Sequence, residues 1–245
     1  MIGDIWTIMT KEWKELLLQR GNLRGGWLGL AVMAFVFGVY LPLMSGRGWV
    51  ESPASLGVWM WVPLFLVTSV VADSFAGERE RHTLETLLAS RLSDRAILFG
   101  KIAATVGYGW GLTLGLLVLG LVTINVAHAR GEILLYPLPV GLGAVVLTLL
   151  AATLVSCIGV LVSLRSSTVR QAAQTMSIAI MLLLFVPVFG FQALPNEMKR
   201  DLLLGVAGVD MLGVVLGLAV VLVALDAVFL AAAVARFQRA RLILD

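Results

Sequence analysis

Charge is scarce in this chain: 13% of its 245 residues are Asp, Glu, Lys or Arg, against 60% hydrophobic. A soluble domain carries about a quarter charged residues, because its surface must be solvated. At half that density the chain cannot cover itself with polar groups in water, and the mean hydropathy of +0.98 agrees. Lipid must cover the remainder, which leaves no room for a large soluble domain. Cysteine is rarer still. Cys157 stands alone, which excludes an internal disulfide and any Cys-cluster metal site; inside an apolar run it reads as a small packed residue.

Other absences remove whole classes of chemistry. The two histidines, His82 and His128, are far apart and part of no His-Glu-x-x-His helix, so no metal site is expected. Gly-x-Ser-x-Gly does not occur, which removes the signature of a serine hydrolase. Gly100-Lys101 resembles the end of a phosphate-binding loop, but Arg95 stands where the first glycine belongs and Ile102 where Ser or Thr belongs. The backbone-amide cradle cannot form, so any ATP is expected on another polypeptide. No cleavable signal peptide is expected: residues 1–24 mix both charge signs without a short apolar stretch and small-residue cleavage site. The net charge of +3 comes from short basic clusters between apolar runs, with no aromatic-basic repeat. Nucleic acid is therefore not an expected partner.

What the chain has is long apolar runs. About twenty apolar residues cross the hydrocarbon as a helix, and spans are expected at Trp27–Met44, Gly57–Phe75, Ile102–Val126, Pro139–Leu164, Gln174–Leu194 and Met211–Ala235. Pro187, Gly190 and Pro195 are candidate breaks in the last two, and the stretch from Pro195 to Gly205 reads as a short outer helix. Lys11, Lys14, Arg20 and Arg24, the group Arg79, Arg81, Arg91, Arg95 and Lys101, then Arg165 and Arg170, and Arg236, Arg239 and Arg241 fall on one side. Only Arg47, Arg130, Lys199 and Arg200 fall on the other. Basic loops stay in the cytoplasm, so both ends are expected there, in a cytoplasmic (inner) membrane. Trp49, Trp59, Trp61, Tyr40 and Tyr136 gather near the opposite interface, where amphipathic rings are favoured.

The first residues differ in kind. Ile2, Ile5, Trp6, Met9, Trp13, Leu16 and Leu17 recur at helical spacing with Asp4, Thr7, Lys11 and Lys14 turned away, which predicts an amphipathic helix lying in the interface plane. The expected fold class is thus all-α: a polytopic membrane protein with six transmembrane helices (residues 25–245) and an N-terminal amphipathic interfacial helix (1–24). Small residues one turn apart, Gly107, Gly111 and Gly115, then Gly213 and Gly217, predict close helix packing within the chain or across a dimer. Asp73 and Asp226 are the carboxylates in or near the hydrocarbon, and such groups are functional candidates. Asp73 is within reach of Arg79 or Arg81, and both acids read first as structural.

The most informative segment is the loop at 76–101. Leu84, Leu87, Leu88 and Leu92 share a helical face, charges flank it, and Thr83 and Ser93 are candidate N-caps for two short helices. A bare topology signal needs no leucine stripe, which favours a docking surface for a cytosolic partner. The run Gly77-Glu78-Arg79-Glu80, then Thr83-Leu84-Glu85, Leu87-Leu88, Leu92-Ser93 and Leu98-x-Gly100-Lys101 resembles the loop of ABC transporter permeases of the second exporter type. His82 replaces that pattern's usual glycine and Arg91 its usual proline. The resemblance implies a coupling helix that seats in a cleft of a cytosolic ABC ATPase, with Thr83, Leu84, Leu87 and Leu88 at the contact, Glu78 and Glu85 as polar anchors, and the N-terminal helix as a connecting helix. It also implies two ATPase copies, which carry ATP and Mg, and a second permease copy, identical or not.

The resulting expectation is the permease subunit of an ATP-driven exporter, not itself an enzyme. Small outer loops favour an exporter without a large extracytoplasmic receptor, and the apolar, aromatic walls and few fixed charges of the spans point to an amphipathic or hydrophobic cargo. Trp110, Phe185, Phe189 and Asp226 are candidates for the transport path or for packing, as are Gly107, Gly111 and Gly115. An ion-gradient-driven transporter is the first alternative, although it should show inverted repeats and no convincing repeat is found. A non-transporting assembly or sensor subunit is the second, and a membrane enzyme the last.

Overall fold

The computed structural model describes residues 2–22, 24–129, 131–207 and 211–237, without the side chains of 17–22, 24–26, 69, 88 and 202–207. Its elements in chain order are α1 (Ile2–Asn22), α2 (Arg24–Phe35), α3 (Leu41–Ser45), α4 (Gly48–Glu51), α5 (Ala54–Val71), α6 (Asp73–Glu80), α7 (Leu84–Ala89), α8 (Asp94–His128), α9 (Leu138–Arg165), α10 (Val169–Ala193), α11 (Asn196–Ala207) and α12 (Met211–Arg236). No strand occurs among the described residues. Among the described residues, six stretches are long and apolar enough to cross a bilayer: Trp27–Ser45, Ala54–Glu80, Asp94–His128, Leu138–Arg165, Val169–Ala193 and Met211–Arg236. The chain is an all-α, multi-pass membrane protein. Of the expected tail cluster, Arg239 and Arg241 lie outside the described residues, as does Arg130.

Helix boundaries follow local chemistry. Span one contains a π turn at Val36–Tyr40, in which the Leu41 amide reaches back to the Val36 carbonyl. The cause is Pro42, which has no N–H to offer the Gly38 carbonyl. The Thr123 hydroxyl donates to that carbonyl instead, at 2.7 Å. Ser93 does cap a helix, its Oγ accepting from the Ala96 amide at 3.2 Å, but the helix is the 35-residue α8 and not a short one. Thr83 makes no side-chain cap for α7; its hydroxyl donates to the Glu78 carbonyl at 3.3 Å. Pro187 and Gly190 leave α10 continuous, whereas Pro195 stands in the break before α11.

The centre of the bundle is α9, which packs along both α5 and α12. The α5 crossing is close because Gly159 lies against Val71: a Cβ at that glycine would fall 2.2 Å from Val71 Cγ1. Buried side chains form two layers. One, near the opposite end of the bundle from α7, holds Trp49, Trp59, Val62, Ile124 and Leu147. The other, beneath α7, holds Ile8, Val71, Phe75, Leu84, Ile97, Val160 and Met176. Phe237, just beyond α12, packs on Phe75 at 5.1 Å between ring centroids, so both described ends of the chain meet at the α7 end. Outward, α10 and α12 present Leu182, Val186, Val220 and Val223, an apolar surface suited to lipid.

Candidate functional site

The α5–α6 junction at Ala72 sets the position of the whole loop. Ser163 of α9 satisfies that junction: its hydroxyl donates to the Ala72 carbonyl at 3.0 Å and accepts from the amides of Phe75 and Ala76 at 3.0 and 2.9 Å. Within α6, the Asp73 carboxylate passes over Gly77 to reach Arg81, both oxygens 2.8 Å from Nη2. A Cβ at residue 77 would lie 2.0 Å from Asp73 Oδ1, so the bridge requires glycine there. Burial alone would lower the Arg81 guanidinium, but the bond and charge of Asp73 outweigh it and shift the group upward.

Three successive side chains then turn to three different neighbours. Glu78 is buried, and its Oε1 accepts from Lys101 Nζ of α8 at 2.9 Å and from Lys11 Nζ of α1 at 3.2 Å. Lys101, 1% exposed, also donates to Glu12 Oε1 and to the Ser74 carbonyl, each at 2.7 Å, and lies 5.1 Å above the Phe75 ring. Arg79 donates to the carbonyls of Leu164 and Ser166 at the C-terminal end of α9. Such carbonyls have no partner inside their own helix. Glu80 accepts from the Val169 amide at the first turn of α10, at 3.1 Å, where a carboxylate also meets the positive end of the helix dipole.

The helix α1 is seated as closely as the ion pairs require. Ile8 packs on Gly100, where a Cβ would fall 2.7 Å from the isoleucine Cβ. The Trp13 ring covers Gly107, and its indole N–H donates to the Ala104 carbonyl at 3.0 Å. Lys11 is shifted upward: burial alone would lower it, but Glu78, Glu12 and Glu15 outweigh that penalty.

These contacts revise the expected site. Glu78 faces inward to two ammonium groups and is not an exposed anchor. Leu84 is buried in the layer beneath α7, and Leu87 and Leu92 pack against it, so the leucine stripe turns toward the protein's own core. The Leu88 side chain lies outside the described residues. The face left exposed on α7 is polar, with Thr83, Glu85, Thr86 and Ala89. His82, at the position of the family's usual glycine, adopts φ +57°, a left-handed conformation that glycine enters without penalty.

The candidate transport residues do not converge. Trp110 donates to the Val145 carbonyl of α9 at 3.1 Å. Phe185 and Phe189 stack on each other, centroids 5.6 Å apart, on the outer surface of α10. Phe185 borders an apolar groove of about 460 Å³ with Phe65, Thr68, Ser177 and Met181. Gly107 lies under Trp13, while among the described residues nothing comes within 4 Å of a Cβ placed at Gly111 or Gly115. Asp226 is nine-tenths buried, and neither of its oxygens has a hydrogen-bond partner among the described residues.

Sequence reasoning used Lys101 only for topology and pattern, used Arg79 for both and, beside Arg81, as a candidate partner for Asp73, matched Glu80 to the pattern alone, and assigned no role to Glu12 or Ser163. One signal was present for Glu12: it follows Ile5 and Ile8 at helical spacing, a charge set in the apolar stripe that needs a buried partner.

The family model for ABC-2 type transporters matches residues 3–198, from α1 into α11. The chain belongs to the ABC-2 type transporter family. The protein is also similar to the ABC transporter permease protein NatB of Bacillus subtilis (strain 168), with 30% identity over 150 residues. That alignment covers 56% of this chain, and the chain spans 38% of the length of its relative. In this ABC-2 protein the matched segment contains the entire α1–α6–α8 ion cluster and both ends of the α9–α10 turn.

Proposed function

We infer that this ABC-2 protein is the membrane-spanning permease subunit of an ATP-driven exporter, and that α7 is where a separate cytosolic ABC ATPase docks. The observation that carries the reading is the exposed polar face of α7, with Thr83, Glu85 and Thr86 outward, borne on a loop whose leucines and charges are tied into the bundle. Glu85 is the polar anchor in this reading, and Leu84 and Leu87 hold the docking face in place from behind. ATP and its Mg belong to the partner, two copies of which serve two permease copies. The Lys and Arg side chains gathered at the α7 end favour the cytoplasmic side for it and for both chain ends, in a cytoplasmic-membrane protein. The scarcity of fixed charge in the spans favours an amphipathic or hydrophobic cargo.

The test is copurification of the tagged chain with candidate ATPases from mild detergent, followed by ATP hydrolysis with wild type and Glu85→Ala. A stable complex whose hydrolysis responds to that substitution is expected. Failure of every candidate to bind in several detergents, or hydrolysis indifferent to Glu85→Ala, would overturn the docking assignment.

A further inference from the structure

Three links radiate from one stretch of three residues, and each ends on a different helix. Glu78 holds Lys101 of α8 and, through Lys11 and the shared Lys101–Glu12 pair, the helix α1. Arg79 holds the last carbonyls of α9, and Glu80 the first amide of α10. The turn from α9 to α10 is short, from Ser166 to Thr168, so the last two links grip its two sides. The Glu78–Lys101 bond is shielded from any partner, whereas the Glu80–Val169 bond lies at the exposed surface. Lys101 is 1% exposed and the Glu78 side chain 5%, so these groups cannot serve as docking contacts without unpacking. Ionic contacts held this far from water resist sliding, because parting them leaves a buried charge unpaired.

We propose that Glu78, Arg79, Glu80 and Lys101 are positioning residues that join α1, the α6–α7 loop and the α9–α10 turn into one rigid body at the membrane face. Displacement of α7 then carries the interfacial helix and the ends of α8, α9 and α10 together, so a push at one small helix reaches several spans at once. The clamp is a property of this chain; its use in transport rests on the docking reading above. The two links are also separable. The Glu78–Lys101 bond ties α1 to the loop, and Glu80 ties α10 to it.

The test uses the full chain in nanodiscs, spin-labelled at exposed positions through Thr7→Cys on α1, Ala89→Cys on α7 and Arg170→Cys on α10; Cys157 is fully buried and out of reach. Distances are read by pulsed electron resonance. The wild-type background should give one narrow distance for each of the Thr7–Ala89 and Ala89–Arg170 pairs. Lys101→Met should broaden the first and spare the second. Glu80→Ala, at an exposed side chain with little risk to folding, should do the reverse. Broad wild-type distances, or variants that leave both pairs narrow, would overturn the clamp without any ATPase being present. With a copurified ATPase trapped by ADP and vanadate, the three labels should keep their mutual distances while all move relative to Glu132→Cys at the opposite end. Motion of α7 away from α1 in that state would also overturn the clamp. An α7 that does not move counts against the docking reading and leaves the nanodisc result to decide the clamp.

Discussion

Lys101→Met isolates the energetics of the ion cluster. Methionine keeps an unbranched stem of similar length, so packing is largely retained, while the ammonium 5.1 Å above the Phe75 ring is lost. What is lost is an ammonium, 1% exposed, that donates to Glu12, Glu78 and the Ser74 carbonyl. Removing one partner of a buried ion pair costs about 3–5 kcal/mol, because the other charge stays buried. Here Glu78 keeps Lys11 at 3.2 Å, but that ammonium's side chain is 45% exposed and compensates weakly. An expected loss of about 3 kcal/mol follows, near the lower end of that range. Glu78→Gln alone should also destabilise, since it leaves Lys101 with only Glu12 as an ionic partner. The double variant should be more stable than the sum of the two single losses predicts, because no unpaired charge then faces the other side of the bond. Titration with SDS in mixed micelles, followed by circular dichroism, measures all three. A Lys101→Met loss below about 1 kcal/mol, or strictly additive losses in the double variant, would refute the claim that the cluster acts as one buried unit.

Three further outcomes are expected from the same titration. Gly159→Ala places a methyl 2.2 Å from Val71 Cγ1 and should cost about 1–3 kcal/mol; Val71→Ala in the same chain should return part of that, and no recovery would mean that the α5–α9 crossing is set elsewhere. Asp226→Leu removes a buried carboxylate with no hydrogen-bond partner among the described residues and should leave stability unchanged or raised, whereas a clear loss would reveal a partner for Asp226. His82→Gly relieves a left-handed residue at φ +57° and, after the larger unfolded-state entropy of glycine, should gain up to about 1 kcal/mol; a loss would show that the imidazole makes a contact of its own.

Span number and the interfacial helix were legible because each rests on a pattern the bilayer imposes: apolar length for the one, apolar periodicity for the other. Helix ends were less so. Hydropathy marks where a chain enters hydrocarbon, and α8 begins at Asp94, two turns before the apolar run at Ile102. Pro187 was an overestimated break, since a proline removes one bond and the remainder of α10 holds. The aromatic rings of Phe185 and Phe189 announced an apolar wall without saying which way it faces. For α7 the failure was of sidedness. A leucine stripe shows that a helix buries one face, but not whether the cover is a partner or the chain itself, and Leu84 is covered by the chain.

The same limit explains why the charged residues of the loop were misread, and what their spacing encodes. The family-like pattern has two ends, Gly77-Glu78-Arg79-Glu80 and Leu98-x-Gly100-Lys101. Viewed along the chain they look like separate solvated clusters flanking a docking helix. In three dimensions α6 leaves the bundle, α7 crosses, and α8 returns, which brings Lys101 to 2.9 Å from Glu78 across 23 residues. Gly77 clears the path for the Asp73–Arg81 bridge and Gly100 lets α1 approach, so each end of the pattern supplies one charge and one absent side chain. The two ends therefore close a loop on itself and fasten it to α1. The segment between them, with Glu85 outward, is the stretch that the docking reading gives to the ATPase, and under the proposed clamp a helix tied at both ends would pass a displacement on without absorbing it.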